Sequence, residues 1–163
     1  MSGCVEYMAL FIPGEPVAKA RPRVMRSGYA YTPKKTEDAE KAIRDAWNRR
    51  YGEETLRGPL KVSITFFYKA PKSWPKWKRR QVERYQLPKV SKPDTDNLAK
   101  TVLDALNGVA YKDDSAVCDM FARKMYTHEG AAGTQVVIES KYDSEQDADG
   151  NRWYWMKERK AEE

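Results

Sequence analysis

Residues 91–115 run Ser91-Lys92-Pro93-Asp94-Thr95-Asp96-Asn97-Leu98-Ala99-Lys100-Thr101-Val102-Leu103-Asp104-Ala105-Leu106-Asn107-Gly108-Val109-Ala110-Tyr111-Lys112-Asp113-Asp114-Ser115. Leu98, Val102 and Leu106 recur at helical spacing and Leu103 widens the apolar face. Asp96 or Asn97 is placed to cap the free N–H groups of such a helix, and Asn107-Gly108 supplies a left-handed stop. Pro93 favours an extended approach for Lys92. The pattern predicts a helix from about Asn97 to Leu106.

That helix arranges the charged residues around it. Asp94 and Asp96 sit in the expected extended lead-in, where residues i and i+2 point to one side. Lys100 follows Asp96 by four residues and Asp104 follows Lys100 by four, so the three share a helical row. A second carboxylate pair, Asp113-Asp114, stands just past the helix end. Asp-x-Asp alone is common in caps, and Asp-Asp alone is usually a solvated turn. Together with Lys100 and the intervening helix they can converge on one divalent cation. Mg²⁺ takes oxygen ligands in octahedral geometry and keeps several waters. It can activate water and stabilise charge on a phosphate in in-line displacement, a task a lysine shares. The chemistry indicated is phosphodiester hydrolysis.

The order Lys92-Pro93-Asp94-Thr95-Asp96-Asn97, then Lys100, then Asp104-Ala105-Leu106-Asn107-Gly108, then Asp113-Asp114-Ser115 resembles the signature of the RusA-type Holliday-junction resolvases, which phages and prophages frequently carry. The resemblance extends over roughly Tyr7 to Ile138. It implies a small homodimeric endodeoxyribonuclease, dependent on Mg²⁺ with Mn²⁺ as a substitute, that makes paired symmetric nicks in four-way DNA junctions. The family's metal-site aspartates fall on Asp94, Asp96 and Asp114, and its essential lysine on Lys100; these four are the expected catalytic residues. Asp104 stands where the family's motif helix carries an acidic residue and is expected to support the ligands. The loop after Leu106 varies by a residue among relatives, which leaves Asp113 as the alternative ligand to Asp114.

The 163 residues fit one domain with a real core, expected at 1–141, followed by an aromatic and charged extension at 142–163. Net charge is +6, unevenly spread: residues 1–90 hold 20 Lys and Arg against 9 Asp and Glu, and residues 91–163 hold 10 against 15. A basic first half attracts a polyanion, and the acidic second half contains a cluster that cations relieve. Cys4 and Cys118 have no metal-ligand spacing, and no apolar run approaches the roughly 20 residues of a membrane span. A signal-peptide pattern is absent, so a reducing cytoplasm, that of a bacterial host by the resemblance, is the expected compartment.

Working outward, Val5 to Ile12 reads as a core strand ending at Pro13-Gly14. The following stretch is broken by prolines and dense in charge; Lys19, Arg21 and Arg23, with Arg26 beyond, are placed to grip phosphates. A basic loop is more often plain surface, but the resembled family carries a similar proline-containing basic segment after its first strand. Tyr29-Ala30-Tyr31 is expected to continue an edge strand. Thr32-Pro33 then opens a helix reaching Arg50 or Tyr51, with Ala39, Ile43, Ala46 and Trp47 on its buried side and Gly52 at its stop. Leu60 to Tyr68 alternates Val62, Ile64, Phe66 and Tyr68 on one side, a half-buried strand. Ser73 is positioned to cap a short helix bearing Lys76, Lys78, Arg79 and Arg80, cations expected on DNA, whereas Trp74 and Trp77 are expected to pack on the core. Ala116 to Tyr126 and Thr134 to Lys141 read as strands joined by the turn region around Gly130 and Gly133. His128 is expected at the surface.

This order of elements is α+β, a small mixed sheet packed by helices. In the tail, Glu145-x-Asp147-x-Asp149-Gly150 mimics the opening of an EF-hand loop, but Met156 stands where a bidentate glutamate is needed. Three other functions compete with junction resolution. A nuclease for flaps or forks would share the metal site and differ in DNA geometry. A catalytically silent DNA-binding protein would produce no nicks with Mg²⁺. A nucleotide-sugar transferase could use Asp-x-Asp, but the chain lacks a glycine-rich nucleotide-binding turn and is short for that task.

Overall fold

A computed structural model describes residues 7–85, 87–127 and 130–140. The expected surface position of His128 and the whole 142–163 extension, with its EF-hand mimic, lie outside these residues. In chain order the elements are β1 (Tyr7–Pro13), β2 (Arg23–Val24), β3 (Ala30–Tyr31), α1 (Lys34–Tyr51), β4 (Leu60–Lys69), α2 (Lys76–Tyr85), α3 (Thr95–Leu106), β5 (Val117–Thr127) and β6 (Gly133–Ser140), with a 3₁₀ turn at Asp114–Ala116 before β5. The α+β expectation is met.

β4 is the spine because alternation gives it one fully apolar face. Val62, Ile64, Phe66 and Tyr68 are all buried there, and each such side chain contributes about 1.5–3 kcal/mol relative to exposure. The four-stranded sheet runs β1-β6-β4-β5, with β6 antiparallel to both neighbours and β5 parallel to β4. In register, Ile64 lies opposite Val136 on one side and Ala122 on the other. A parallel pair needs a long crossover, and that crossover carries α2, α3 and the acidic motif. Although β5 and β6 are consecutive in the chain, the two strands are not neighbours, because β4 lies between them.

α1 and α3 cover the apolar face. Ile43 and Trp47 of α1 meet Leu98, Val102 and Leu106 of α3 over Ile12, Ile64, Val136 and Ile138. Ala39 and Ala46 are half-buried on the same helix. The expected proline at the first helical position instead occupies the cap itself: Pro33 precedes α1, and its carbonyl accepts from the Thr36 and Glu37 amides. Gly52 stops the helix at φ 63°, a conformation that disfavours side chains. The Tyr51 hydroxyl at the end of α1 donates to the Ala9 carbonyl at 2.7 Å and accepts from the Ala9 amide at 2.8 Å, closing part of the outer edge of β1.

Other local expectations change. Ala30–Tyr31 does not extend the main sheet; it pairs with Arg23–Val24 in a separate two-stranded ribbon, turned by Gly28 at φ 80°. The cap of α2 falls at Pro75, whose carbonyl accepts from the Lys78 and Arg79 amides, so Ser73 does not serve. Trp74 packs edge-on against Tyr126 with ring centroids 4.8 Å apart, but it is half-buried and lies at the margin of the core instead of within it. Trp77 instead stands 60% exposed, because Val82 takes the buried side of the helix. Among the described residues no helix is long and apolar enough to cross a membrane.

Candidate active site

α3 begins two residues earlier than its capping pattern predicts. Asp94 is the N-cap, extended at φ −72° and ψ 142°, and Asp96 lies in the first turn. The two carboxylates therefore do not share one side of an extended segment: one precedes the helix and the other belongs to it. Asp94 makes no capping bond with its side chain, although the position ordinarily uses a carboxylate for that purpose. Burial of Leu98, Ala99, Thr101, Val102, Ala105 and Leu106 turns the opposite row outward. Asp94, Asp96 and Lys100 are consequently exposed, with Asp104 half-buried further along the row. Negative charge near a helix N-terminus also gains from the helix dipole.

Two lysines that sequence reasoning missed hold the lead-in. The Lys124 ammonium, from β5, donates to the carbonyls of Ser91 at 2.8 Å and Pro93 at 2.7 Å. The Lys89 ammonium donates to the Lys92 carbonyl at 2.6 Å and to the Ser91 carbonyl and hydroxyl. The segment carrying Lys89 is itself laid along β5: the Lys89 amide donates to the Lys124 carbonyl and the Tyr126 amide to the Leu87 carbonyl, both at 2.9 Å. Every carbonyl from Ser91 to Pro93, immediately before Asp94, thus accepts from a cation.

The basic segment after β1 docks on the same helix. The Lys19 amide donates to the Asn97 carbonyl at 2.8 Å. The Lys19 ammonium lies between Glu40 of α1 and Asp104 of α3, 2.9 Å from the latter. Lys19 is thereby committed to carboxylates of its own chain, unlike the phosphate grip expected of it. Arg21 is exposed, and Arg23 stands in β2. On α2, Lys76 and Arg80 are exposed, Lys78 lies 3.9 Å above the Trp74 ring, and the Arg79 Nε is buried without a hydrogen-bond partner among the described residues.

The second carboxylate pair follows the other end of α3. Gly108, at φ 73°, turns the chain, and the amides of Val109 and Ala110 donate to the Leu106 carbonyl. Tyr111 is buried, and its hydroxyl donates to the Leu103 carbonyl at 3.0 Å. Burial first, then the charges of Asp114 and Asp104, pushes this phenol above the usual tyrosine range. Asp113 accepts from the Ser115 amide at 2.8 Å and caps the 3₁₀ turn. Bonds from Ser115 hold its carboxyl below the usual range. Asp114 is exposed in that turn.

The two halves of the expected metal site are separated within one chain. A 12-residue helix spans about 18 Å, and α3 lies between Asp94 and the Asp113–Asp114 turn. β5 repeats the separation: Asp114 precedes its start, whereas Pro93 is tied to Lys124 well along it. Among the described residues no three acidic, histidine or cysteine side chains group to hold a metal. The donors themselves suit a hard divalent cation. They are carboxylate oxygens, exposed, and among the described residues none of Asp94, Asp96 and Asp114 is in an ion pair.

Comparison with known proteins adds the following. The family described as Endodeoxyribonuclease RusA matches residues 13–139. The uncharacterized protein YqaN of Bacillus subtilis (strain 168) is 34% identical over 131 residues, which cover 77% of this chain and 90% of that protein. A protein of Lactococcus phage r1t named crossover junction endodeoxyribonuclease rusA is 39% identical over 70 residues, covering 41% of this chain and 45% of that protein.

Proposed function

From the premise that this chain belongs to the RusA endodeoxyribonuclease family, we propose that it is a Mg²⁺-dependent enzyme that resolves four-way DNA junctions by paired symmetric nicks. The observation that carries this reading is the α3 N-terminus. There Asp94 and Asp96 are exposed and unpaired among the described residues, with Lys100 one turn behind and the lead-in clamped by Lys89 and Lys124.

Asp94, Asp96 and Asp114 would hold the cation, Mg²⁺ or Mn²⁺. When bound it supplies an activated water and neutralises charge on the scissile phosphate. Asp113 is the weaker candidate because it is already engaged as a cap. Lys100 binds the phosphate oxygen that gains charge in the transition state. Asp104, paired with Lys19, acts by fixing the row on which Lys100 stands. Arg21, Arg23, Lys76 and Arg80 supply cations for the DNA backbone.

The length of α3 bears on assembly. A cation bound by all three aspartates needs Asp114 from a second chain, which supports a homodimer with two sites, one for each strand cut. The test is a gel assay on a labelled four-way junction and a matched linear duplex, with Mg²⁺ and with EDTA, alongside Asp96→Asn. Metal-dependent paired nicks confined to the junction are expected, and Asp96→Asn should lose cleavage while retaining junction binding. Equal cutting of duplex would make the protein a general nuclease; cutting of flaps and forks as well would make it a branched-DNA nuclease. Binding without nicks in either condition would leave a silent DNA-binding protein.

A further inference from the structure

In one row of α2 only Arg80 has a role in the reading above, as a cation for the DNA backbone. Trp77, Arg80, Gln81 and Arg84 stand at i, i+3, i+4 and i+7, a single helical face, and line a shallow groove of about 340 Å³. Trp77 is 60% exposed, whereas Trp47 is fully buried and Trp74 packs on Tyr126. A lone exposed tryptophan means little. This one is flanked along the groove by two exposed guanidinium groups that form no ion pair among the described residues.

The ridge is seated on the fold from its other side. Val82 is buried on the opposite side of α2, and Trp74, in the turn that precedes the helix, contacts both Tyr126 of β5 and the Lys78 ammonium. The chain leaving α2 is laid along β5 before it reaches Asp94. α2 carries five cationic residues against Glu83, so its preferred occupant is anionic. An anionic ligand that also offers a flat apolar face, repeating at short intervals, is nucleic acid. In a linear duplex the base faces are covered by their neighbours and a ring cannot reach them. They become available where a base is unpaired or unstacked, as at a branch point.

We propose that this ridge is a contact for DNA bearing an unpaired base, with the Trp77 ring stacked on the base and Arg80 and Arg84 on the flanking phosphates. Gln81 offers both a donor and an acceptor to the edge of that base. The inference rests on the nucleic-acid reading above but not on cleavage.

The test measures binding in EDTA to three labelled DNAs: a four-way junction, a duplex with a single-base bulge, and the same duplex fully paired. Trp77→Ala should weaken junction and bulge binding by about 5- to 100-fold, the range of one stacked base, with a far smaller change on the paired duplex. Trp77→Phe should restore most of the loss. Arg80→Gln and Arg84→Gln should weaken all three and lower the salt slope by about 0.9 each. With 2-aminopurine as the bulged base, the wild type should change its fluorescence on binding and Trp77→Ala should not. Circular dichroism of each variant confirms the fold.

An equal effect of Trp77→Ala on paired and bulged DNA, or none, would overturn stacking even if the wild type resolves junctions. A bulge-selective loss in a protein that leaves junctions uncut would uphold the ridge and overturn the resolvase. No binding to any of the three DNAs would overturn both.

Discussion

Lys19 is the residue on which the docking of the basic segment turns. Its ammonium is shared between Glu40 and Asp104, side chains on two different helices, and only 22% of its own side chain is exposed. Removing it leaves two partly buried carboxylates facing each other without a cation. Lys19→Met should therefore lower stability by about 1–3 kcal/mol in urea unfolding. Burial lowers the ammonium's pKa, but the bonds to Asp104 and Glu40 outweigh it and leave it raised above 10.5. A raised folded value means that this contribution is present below pH 10.5 and is lost as pH climbs through the folded value. Tyr68, pushed up to about 12 mainly by burial, titrates in the same alkaline range. The readout is therefore the difference between wild type and Lys19→Met, which should shrink above pH 10.5. The sequence marked Lys19 as a cation in a basic loop. It could not show that the loop folds back onto two acidic helices, because nothing periodic links positions 19, 40 and 104.

At the scale of elements, α3 was legible and its approach was not. The apolar spacing of Leu98, Val102 and Leu106 located the helix, and the row Asp96, Lys100, Asp104 followed from it. The start was misplaced because Asp94, Asp96 and Asn97 are all good caps, and only the backbone decides among them. Lys89 and Lys124 left no signal, since each bonds to main-chain carbonyls and one reaches them from a strand 31 positions away. Their clamp sets where Asp94 stands. Lys124→Met should reduce cleavage by about 10-fold or more, as misplacement of a reacting group by an ångström does, while junction binding in EDTA changes little. Equal losses in both measurements would mean that Lys124 acts as a DNA contact instead.

For the whole molecule, the strand pattern predicted a mixed sheet but not its order. Hydrophobic period reports which face of a strand is buried, not which strand lies beside it, so β4 between β5 and β6 was outside its reach. The same limit applies to the acidic motif. Spacing put Asp94, Asp96 and Asp114 in one short motif, and the length of α3 then places Asp114 beyond the far end from the other two. If two chains complete each site, mixing inactive Asp96→Asn with inactive Asp114→Asn should restore activity, because a hybrid dimer contains one intact site. The product should be single nicks rather than paired ones, resolved on a denaturing gel. No recovery after verified subunit exchange would return all three ligands to one chain.

The phenol of Tyr51 has a further effect at the rim of the sheet. An open border strand offers its bare main-chain groups as a template on which another chain can crystallise, strand upon strand, into fibres. By occupying both outward groups of Ala9 at once, one hydroxyl interrupts that template in the middle of β1. Tyr51→Phe keeps the ring and strips away the stopper. Its expected phenotype is a protein that still folds but scatters light earlier on warming, with thioflavin-binding aggregates that the wild type forms more slowly.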